Sequence, residues 1–327
     1  MNRSSTGHHM TNCIVCGALT APPSSGGRNR HEERCSRCGM PLVRRSDDQV
    51  LRVEGLQHYY GSGPARVEAV RQFDLLVRPS EVILIVGPSG GGKTTALLAM
   101  GLLLSPSSGT ITIGGINGSE LNEVGRARHR LLHIGFVFQQ FNLIPSLNAV
   151  QNVSLPLRYA GVKRRYAESR ALGLLSSLGL GHKAGSLPMM MSGGERQRVS
   201  IARAMVSSPS LLLADEPTAN LDSRAGKIVA EQIARAAGAT GAGAVIVTHD
   251  TRLADEADRV LVLEDGILRP QEETHKKGMM TSESMYMLST IMRFAMIPIE
   301  TEPFAWGTGV PYPQGTSIIA TGDSSKD

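Results

Sequence analysis

Long apolar runs are missing. Across 327 residues no stretch reaches the ~20 uninterrupted apolar residues that a membrane helix requires. The nearest approach, Met285 to Ile299, is broken by Arg293 and Pro298. The opening MNRSSTGHHMTNC lacks the hydrophobic centre of a secretory signal. The expectation is therefore an intracellular chain whose membrane role, if any, is borrowed from a partner. Aromatics are scarce at 4%, whereas glycine (36 residues) is plentiful, as in α/β proteins rich in loops and close helix contacts. Neither sign of charge dominates: the net charge of +5 is far short of a protein that coats nucleic acid. It comes from unlike pieces, since residues 1–48 carry seven Arg against four acids and residues 270–327 four bases against seven acids.

Cysteine is absent after residue 38. The four present form two pairs, Cys13-x2-Cys16 and Cys35-x2-Cys38, with 18 residues between them. That spacing matches a zinc ribbon. Gly17 and Gly39 follow the pairs and let the backbone turn sharply toward sulfur. Four thiolates make a closed tetrahedral site, structural in kind, with Cys13, Cys16, Cys35 and Cys38 as ligands and zinc as the favoured ion. Disulfides, or iron held in the same four-sulfur manner, are the competing readings. A module of this size lacks an adequate core, so the metal would supply its folding energy. His8, His9 and His31 read as solvated bystanders, Ala21–Gly27 as the loop between knuckles, and Arg44–Gln49 as a linker. The arginines of this segment (Arg28, Arg30, Arg34, Arg37, Arg44, Arg45) read as a solvated basic face, with nucleic acid or an acidic protein surface as the alternative contact.

Beyond residue 48 apolar runs alternate with glycine-rich turns. Glu81–Val86 reads as a buried strand, followed at once by Gly87-Pro88-Ser89-Gly90-Gly91-Gly92-Lys93-Thr94-Thr95. This fits G-x4-G-K-[ST]: backbone N–H groups close around phosphate, the helix over Thr94–Leu104 adds its dipole, Lys93 offers a charge, and Thr94 a hydroxyl for Mg²⁺. The strand Leu211–Ala214 ends in Asp215, placed to hold Mg²⁺ through water, and Glu216, placed to polarise a water. Ser192-Gly193-Gly194-Glu195 lies upstream; Asn220-Leu-Asp222 and Thr248-His249-Asp250 lie downstream; Phe136-Val-Phe-Gln139 sits between.

This ordered set resembles the ATP-binding-cassette (ABC) ATPases over roughly residues 50–270. Walker A is Gly87–Thr95, the Q-loop Gln139, the signature Ser192–Glu195, Walker B Leu211–Glu216, the D-loop Asn220–Asp222 and the switch histidine His249. Met191 and Gly91 depart from the commonest residues of the family pattern. The resemblance implies a P-loop α/β fold: a parallel RecA-like core, an antiparallel β subdomain (Val50–Tyr60, Val70–Val77, Thr110–Ile113) and a helical subdomain over about 141–192. It also implies a homodimer that sandwiches ATP and Mg²⁺. Glu216 would be the general base, His249 the γ-phosphate contact, and Gln139 the reporter of Mg²⁺ and phosphate occupancy. Ser192, Gly193 and Gly194 would reach the partner's ATP, and Asp222 would align the facing site. Adenine would stack on Tyr60, with Tyr59 as the alternative.

Phrases such as Ile134–Pro145, Met191–Val199 and Ala214–Asp222 are similar to the lipoprotein-releasing, macrolide-export and cell-division branch, and His58–Gly61 to heterocyst-glycolipid exporters within it. The implied protein is an ATPase on the cytoplasmic face of a bacterial inner membrane, driving a separate permease. Its permease contact would include Phe141, Leu143 and Ile144, expected to face solvent. The cysteine module departs from that branch and keeps a second reading open, a soluble zinc-containing ABC ATPase acting on nucleic acid. The domain plan is 1–48 ribbon and linker, 49–270 cassette and 271–327 tail, in which Met285, Leu288, Met292, Met296 and Ile299 approach helical spacing.

Overall fold

The computed structural model describes residues 11–13, 16, 18–20, 34–40, 49–219 and 223–271. Asp222, the Ala21–Gly27 loop, most of the expected linker and the tail from residue 272 lie outside the described residues. In chain order the elements are β1 (Thr11–Asn12), β2 (Leu19–Thr20), β3 (Leu51–Tyr60), β4 (Val67–Val77), β5 (Val82–Val86), α1 (Lys93–Met100), β6 (Ser108–Ile113), β7 (Ile116–Asn117) and α2 (Glu123–His133). They continue with β8 (Ile134–Val137), α3 (Ala149–Tyr159), α4 (Arg164–Ser177), α5 (Gly193–Met205), β9 (Leu211–Asp215), α6 (Ser223–Thr240), β10 (Gly243–Thr248), β11 (Arg259–Glu264) and β12 (Ile267–Pro270).

The strands β5, β10, β9 and β8 are parallel neighbours, with β11 parallel on the other side of β5. Every residue of β5 and β10 is buried, as a parallel sheet covered by helices on both faces demands. Burying each such Val, Leu or Ile stabilises by about 1.5–3 kcal/mol before the entropy of ordering it is charged. The antiparallel part, β7-β6-β3-β4, was expected as a separate sheet. It joins the core through β12, which meets β4 at Ile267 opposite Gln72 and closes a hairpin on β11. One ten-stranded sheet results.

Helix α1 is shorter than its sequence reading. It stops at Met100: Gly101 follows as the cap, where the Phe136 ring leaves no room for a Cβ, and Leu102 turns left-handed at φ 56°. Helices α3, α4 and α5 build the helical subdomain around Val153, Leu157, Ala167, Ala171, Leu175 and Val199. The predicted apolar face of α4 is present: Ala171 and Leu175 are buried, and Leu174 and Leu178 pack against them. Asn148 and Gln151 form a reciprocal cap at the start of α3. Among the described residues no helix is long and apolar enough to cross a membrane.

The signature helix α5 lies directly on the core. Gly135 of β8 permits this: a Cβ there would strike the Ala204 carbonyl and crowd Leu212 at 2.8 Å. Gly135→Ala therefore forces α5 off the sheet. We expect a loss of about 1–3 kcal/mol, seen as a lower denaturation midpoint with unchanged slope; an unchanged midpoint would show that the contact yields freely.

Candidate nucleotide and metal sites

The pleat and register of the parallel strands decide which loops meet. Val86 pairs with Thr248, Val247 with Asp215, and Val137 with Ala214, so four strands end at one edge. Gly87, His249, Glu216 and Gln139 leave the sheet there. Ligands in open α/β sheets bind outside the carboxyl ends of the strands.

The P-loop is held shut by its own lysine. Lys93 is buried, and its ammonium donates to the carbonyls of Gly87 and Pro88, both at 2.8 Å. Gly92 sits left-handed at φ 91° and caps α1, with the helix N-terminus opening toward the loop. The glycines also answer to packing: a Cβ on Gly87 would strike the Leu263 carbonyl, and one on Gly92 the Ala69 carbonyl. Gly91, the departure from the usual residue, is buried with Leu263 O 2.9 Å from its Cβ position, so a larger residue is disfavoured there. Ser89 and Gly90 are exposed at the loop's tip.

Thr94 donates its hydroxyl to Asp215 Oδ1 at 3.2 Å. This oxygen pair is a donor set suited to Mg²⁺, a hard cation that takes few protein ligands beside substrate phosphates. Asp215 has its carboxyl pushed above the usual range, chiefly by burial and also by the charge of Glu216, against the lowering effect of the Thr94 hydroxyl. A divalent cation relieves that cost. Gln139 is exposed at the end of β8, next to the β9 strand that carries Asp215.

Glu216 adopts φ 45°, a left-handed conformation that costs a bulky residue about 1–3 kcal/mol. It persists because both its backbone and its carboxylate are pinned. Its N–H donates to Val247 O at 2.9 Å, Thr248 donates its hydroxyl to Oε2 at 2.9 Å, and His249 Nδ1 lies 2.9 Å from Oε1. The Thr248 hydroxyl in turn accepts the Asp250 N–H at 3.0 Å. Thr248 escaped the sequence reading because its role depends on β9 and β10 being neighbours. Gln197 escaped likewise: wholly buried on α5, it donates to Pro217 O at 2.9 Å and ties the signature helix to the segment after Glu216.

Ser192 and Glu195 form a reciprocal cap: Ser192 N–H donates to Glu195 Oε2 at 2.7 Å, and Glu195 N–H to Ser192 Oγ at 3.2 Å. The Ser192 amide is the main reason the Glu195 carboxyl lies below its ordinary range. Gly193 and Gly194 begin α5 behind this cap. The motif S-x-x-E is itself a capping signature, and this cap escaped the sequence reading. Tyr60 is half-exposed with its hydroxyl 3.4 Å from Thr95 Oγ1, beside the P-loop. Tyr59 lies instead under Arg66, 3.7 Å from the guanidinium to the ring centroid. The expected solvent-facing trio is only partly so. Ile144 is exposed, whereas Phe141 and Leu143 are half-buried: Arg196 lies 5.2 Å from the Phe141 ring centroid, and Leu143 joins the helical core. Arg203 holds the turn by donating to Phe141 O and Asn142 O at 2.8 and 2.5 Å. A groove of about 410 Å³ opens there between Leu103, Leu131, Phe138, Asn142, Pro156 and Arg203.

The four cysteines are buried, unoxidised and mutually close, their sulfurs all within 4.8 Å of one another. Cys13 and Cys38 sulfurs are 3.6 Å apart, and those of Cys16 and Cys35 3.5 Å. Zinc–sulfur bonds of about 2.3 Å imply tetrahedral edges near ~3.8 Å, so the set fits with little movement. The thiols crowd one another: burial pushes Cys16 up to about 11, and the bond to Cys13 raises Cys38 further. A cation bound there would displace those protons.

The raised Asp215 pKa makes a signed prediction. The fold favours its neutral form, so the penalty is absent below its ordinary pKa of ~3.9 and complete once pH exceeds the raised folded value. Without nucleotide, Asp215→Asn is expected to raise the melting midpoint at pH 7, with the gain vanishing near pH 3.5. Equal gains at both pH values would locate the effect elsewhere.

Comparison with known proteins agrees with this fold. A family model described as ABC transporter matches residues 70–219. The lipoprotein-releasing system ATP-binding protein LolD 2 of Caulobacter vibrioides is 46% identical over 224 residues, 68% of this chain and 98% of that protein. The macrolide export ATP-binding/permease protein MacB 2 of Aeromonas hydrophila is 40% identical over 70% of this chain and 35% of its own length. The dimeric post-hydrolysis structure of the ATP-binding cassette MJ0796 bound to ADP and Pi superposes with a TM-score of 0.64 at 35% identity, covering 69% of this chain and 99% of that one. With a cassette fold, a P-loop and a LolD relative matched along 98% of its length, this chain belongs to the ATP-binding, ATP-hydrolysing subunits of the ABC transporters.

Proposed function

We propose that this ATPase powers a separate membrane permease that exports or extracts a lipid, a lipoprotein or a small hydrophobic compound. The observation that carries the reading is the single sheet edge at which the P-loop, Asp215, Glu216, Thr248 and His249 meet. Support for the transport branch comes from relatives whose names specify lipoprotein release and macrolide export. The groove beside Asn142 and Phe138 is the surface we assign to the permease. We place the protein at the inner face of a bacterial membrane, through that partner.

In this mechanism the loop Gly87–Thr95 wraps the phosphates with its amides, and Lys93 exchanges its two carbonyl partners for phosphate oxygens. Thr94, Asp215 and Gln139 would hold Mg²⁺, which would supply positive charge against the phosphates. Glu216 takes the proton from the attacking water. Thr248 and His249 fix its carboxylate, and His249, exposed at the edge, turns to the γ-phosphate. Tyr60 carries the adenine. Ser192, Gly193 and Gly194 meet the ATP of a second copy, with Glu195 bracing Ser192 and Asp222 aligning the facing site.

Glu216→Gln tests the arrangement. Loss of a general base costs about 10²–10⁴ in rate, while ATP binding survives on Lys93 and the loop amides. The variant is expected to accumulate as an ATP-bound dimer on size-exclusion chromatography, and adding Ser192→Arg to return it to monomer. Hydrolysis at the wild-type rate would remove Glu216 as base; a monomer with bound ATP would remove the sandwich.

For the cysteines we propose structural zinc. One equivalent per chain is expected by elemental analysis of protein with reduced thiols. Protein that has intact thiols and no zinc would overturn the assignment.

A further inference from the structure

The cysteine segment does not simply hang from the cassette's N-terminus. Residues 34–40 lie on the turn between α3 and α4, and they satisfy backbone groups that the helices leave open. Ala160 ends α3, and its carbonyl accepts Arg34 Nη1 at 2.6 Å; the same nitrogen donates to Gly39 O at 2.8 Å. Lys163 begins α4 with no side-chain cap of its own. Its backbone N–H donates instead to Cys38 O at 2.9 Å, and its ammonium to Arg37 O at 3.1 Å. Helix ends that lack such partners are costly when covered.

The approach is too close for side chains. Gly39 and Gly161 are left-handed, at φ 84° and 85°, and face each other across the contact. A Cβ on Gly39 would lie 2.9 Å from Gly161 O, and one on Gly161 2.9 Å from Arg34 Nη1. Beneath them the four cysteines and Met40 share one apolar cluster with Leu157, Ala160, Val162 and Ala167. That cluster runs on through Val153 and Ala149 to Met191 and Val199, beside the signature.

We infer that the four-thiol site is a metal-dependent clamp on the helical subdomain: zinc shapes residues 34–40 so that they cap the end of α3 and the start of α4. The inference rests on the zinc assignment above and adds where its folding energy goes. Metal binding and the order of the α3–α4 turn are then thermodynamically linked, each strengthening the other.

Hydrogen–deuterium exchange on the full chain tests this under reducing conditions, zinc-loaded and after removal of zinc by a strong chelator. Chelation is expected to speed exchange across residues 157–170 by at least tenfold while leaving β5 unchanged. Arg34→Ala, which keeps all four cysteines, is expected to speed the same residues with zinc still bound. By linkage it is also expected to bind zinc more weakly by a similar factor in chelator competition. A chain that loses bound zinc without faster exchange at 157–170 overturns the clamp and leaves the zinc assignment standing. Reduced protein that never carries zinc overturns both.

Discussion

The register of β5, β10, β9 and β8 is the constraint on which the rest depends. Because Val86 sits opposite Thr248 and Val247 opposite Asp215, the loops that follow these strands emerge at one level. The strands are buried on both faces, so register is held by packing against helices on each side. A slip of one residue would reverse which side chains meet α1 and which meet α6. Glu216 would then lose Thr248, and Thr94 would lose Asp215. The meeting of these residues at one edge is thus a consequence of core packing and needs no separate scaffold.

That edge stores local costs that the core offsets. Glu216 is left-handed, Asp215 is half-buried beside another carboxylate, and Lys93 is folded back onto two carbonyls. The first two are costs, and a divalent cation would relieve the second; the Lys93 ammonium is satisfied by its two carbonyls until phosphate takes their place.

The helical subdomain draws on segments far apart in the chain. Helices α3 and α4 pack as a pair, α5 lies between them and the sheet, and the N-terminal cysteines cover the turn. Gln197 on α5 reaches Pro217 beyond Glu216, while Arg203 on the same helix grips the turn after Gln139. Helix α5 is therefore bonded both to the segment after Glu216 and to the turn beside the groove assigned to the permease.

What was legible from sequence was chemistry carried by contiguous residues. The P-loop is one turn of backbone with a lysine and a threonine at fixed offsets, so Gly87–Thr95 declares its own geometry. Paired cysteines two residues apart declare a thiol site in the same way, and the apolar period of α4 its buried face. Other features needed distant parts of the chain to meet. Thr248 serves Glu216 only because β10 lies beside β9, and Phe141 and Leu143 are half-buried only because α5 and the helical core reach them. The N-terminal cysteines appeared as a separate module on a linker. Their seat on α3 and α4 depends on Arg34 meeting Ala160 across 126 residues of sequence, with Gly39 and Gly161 small enough to let the backbones touch. Residue type and spacing determine local backbone chemistry, whereas the partner of an orphaned helix end is chosen by close packing of surfaces that only the folded chain brings together.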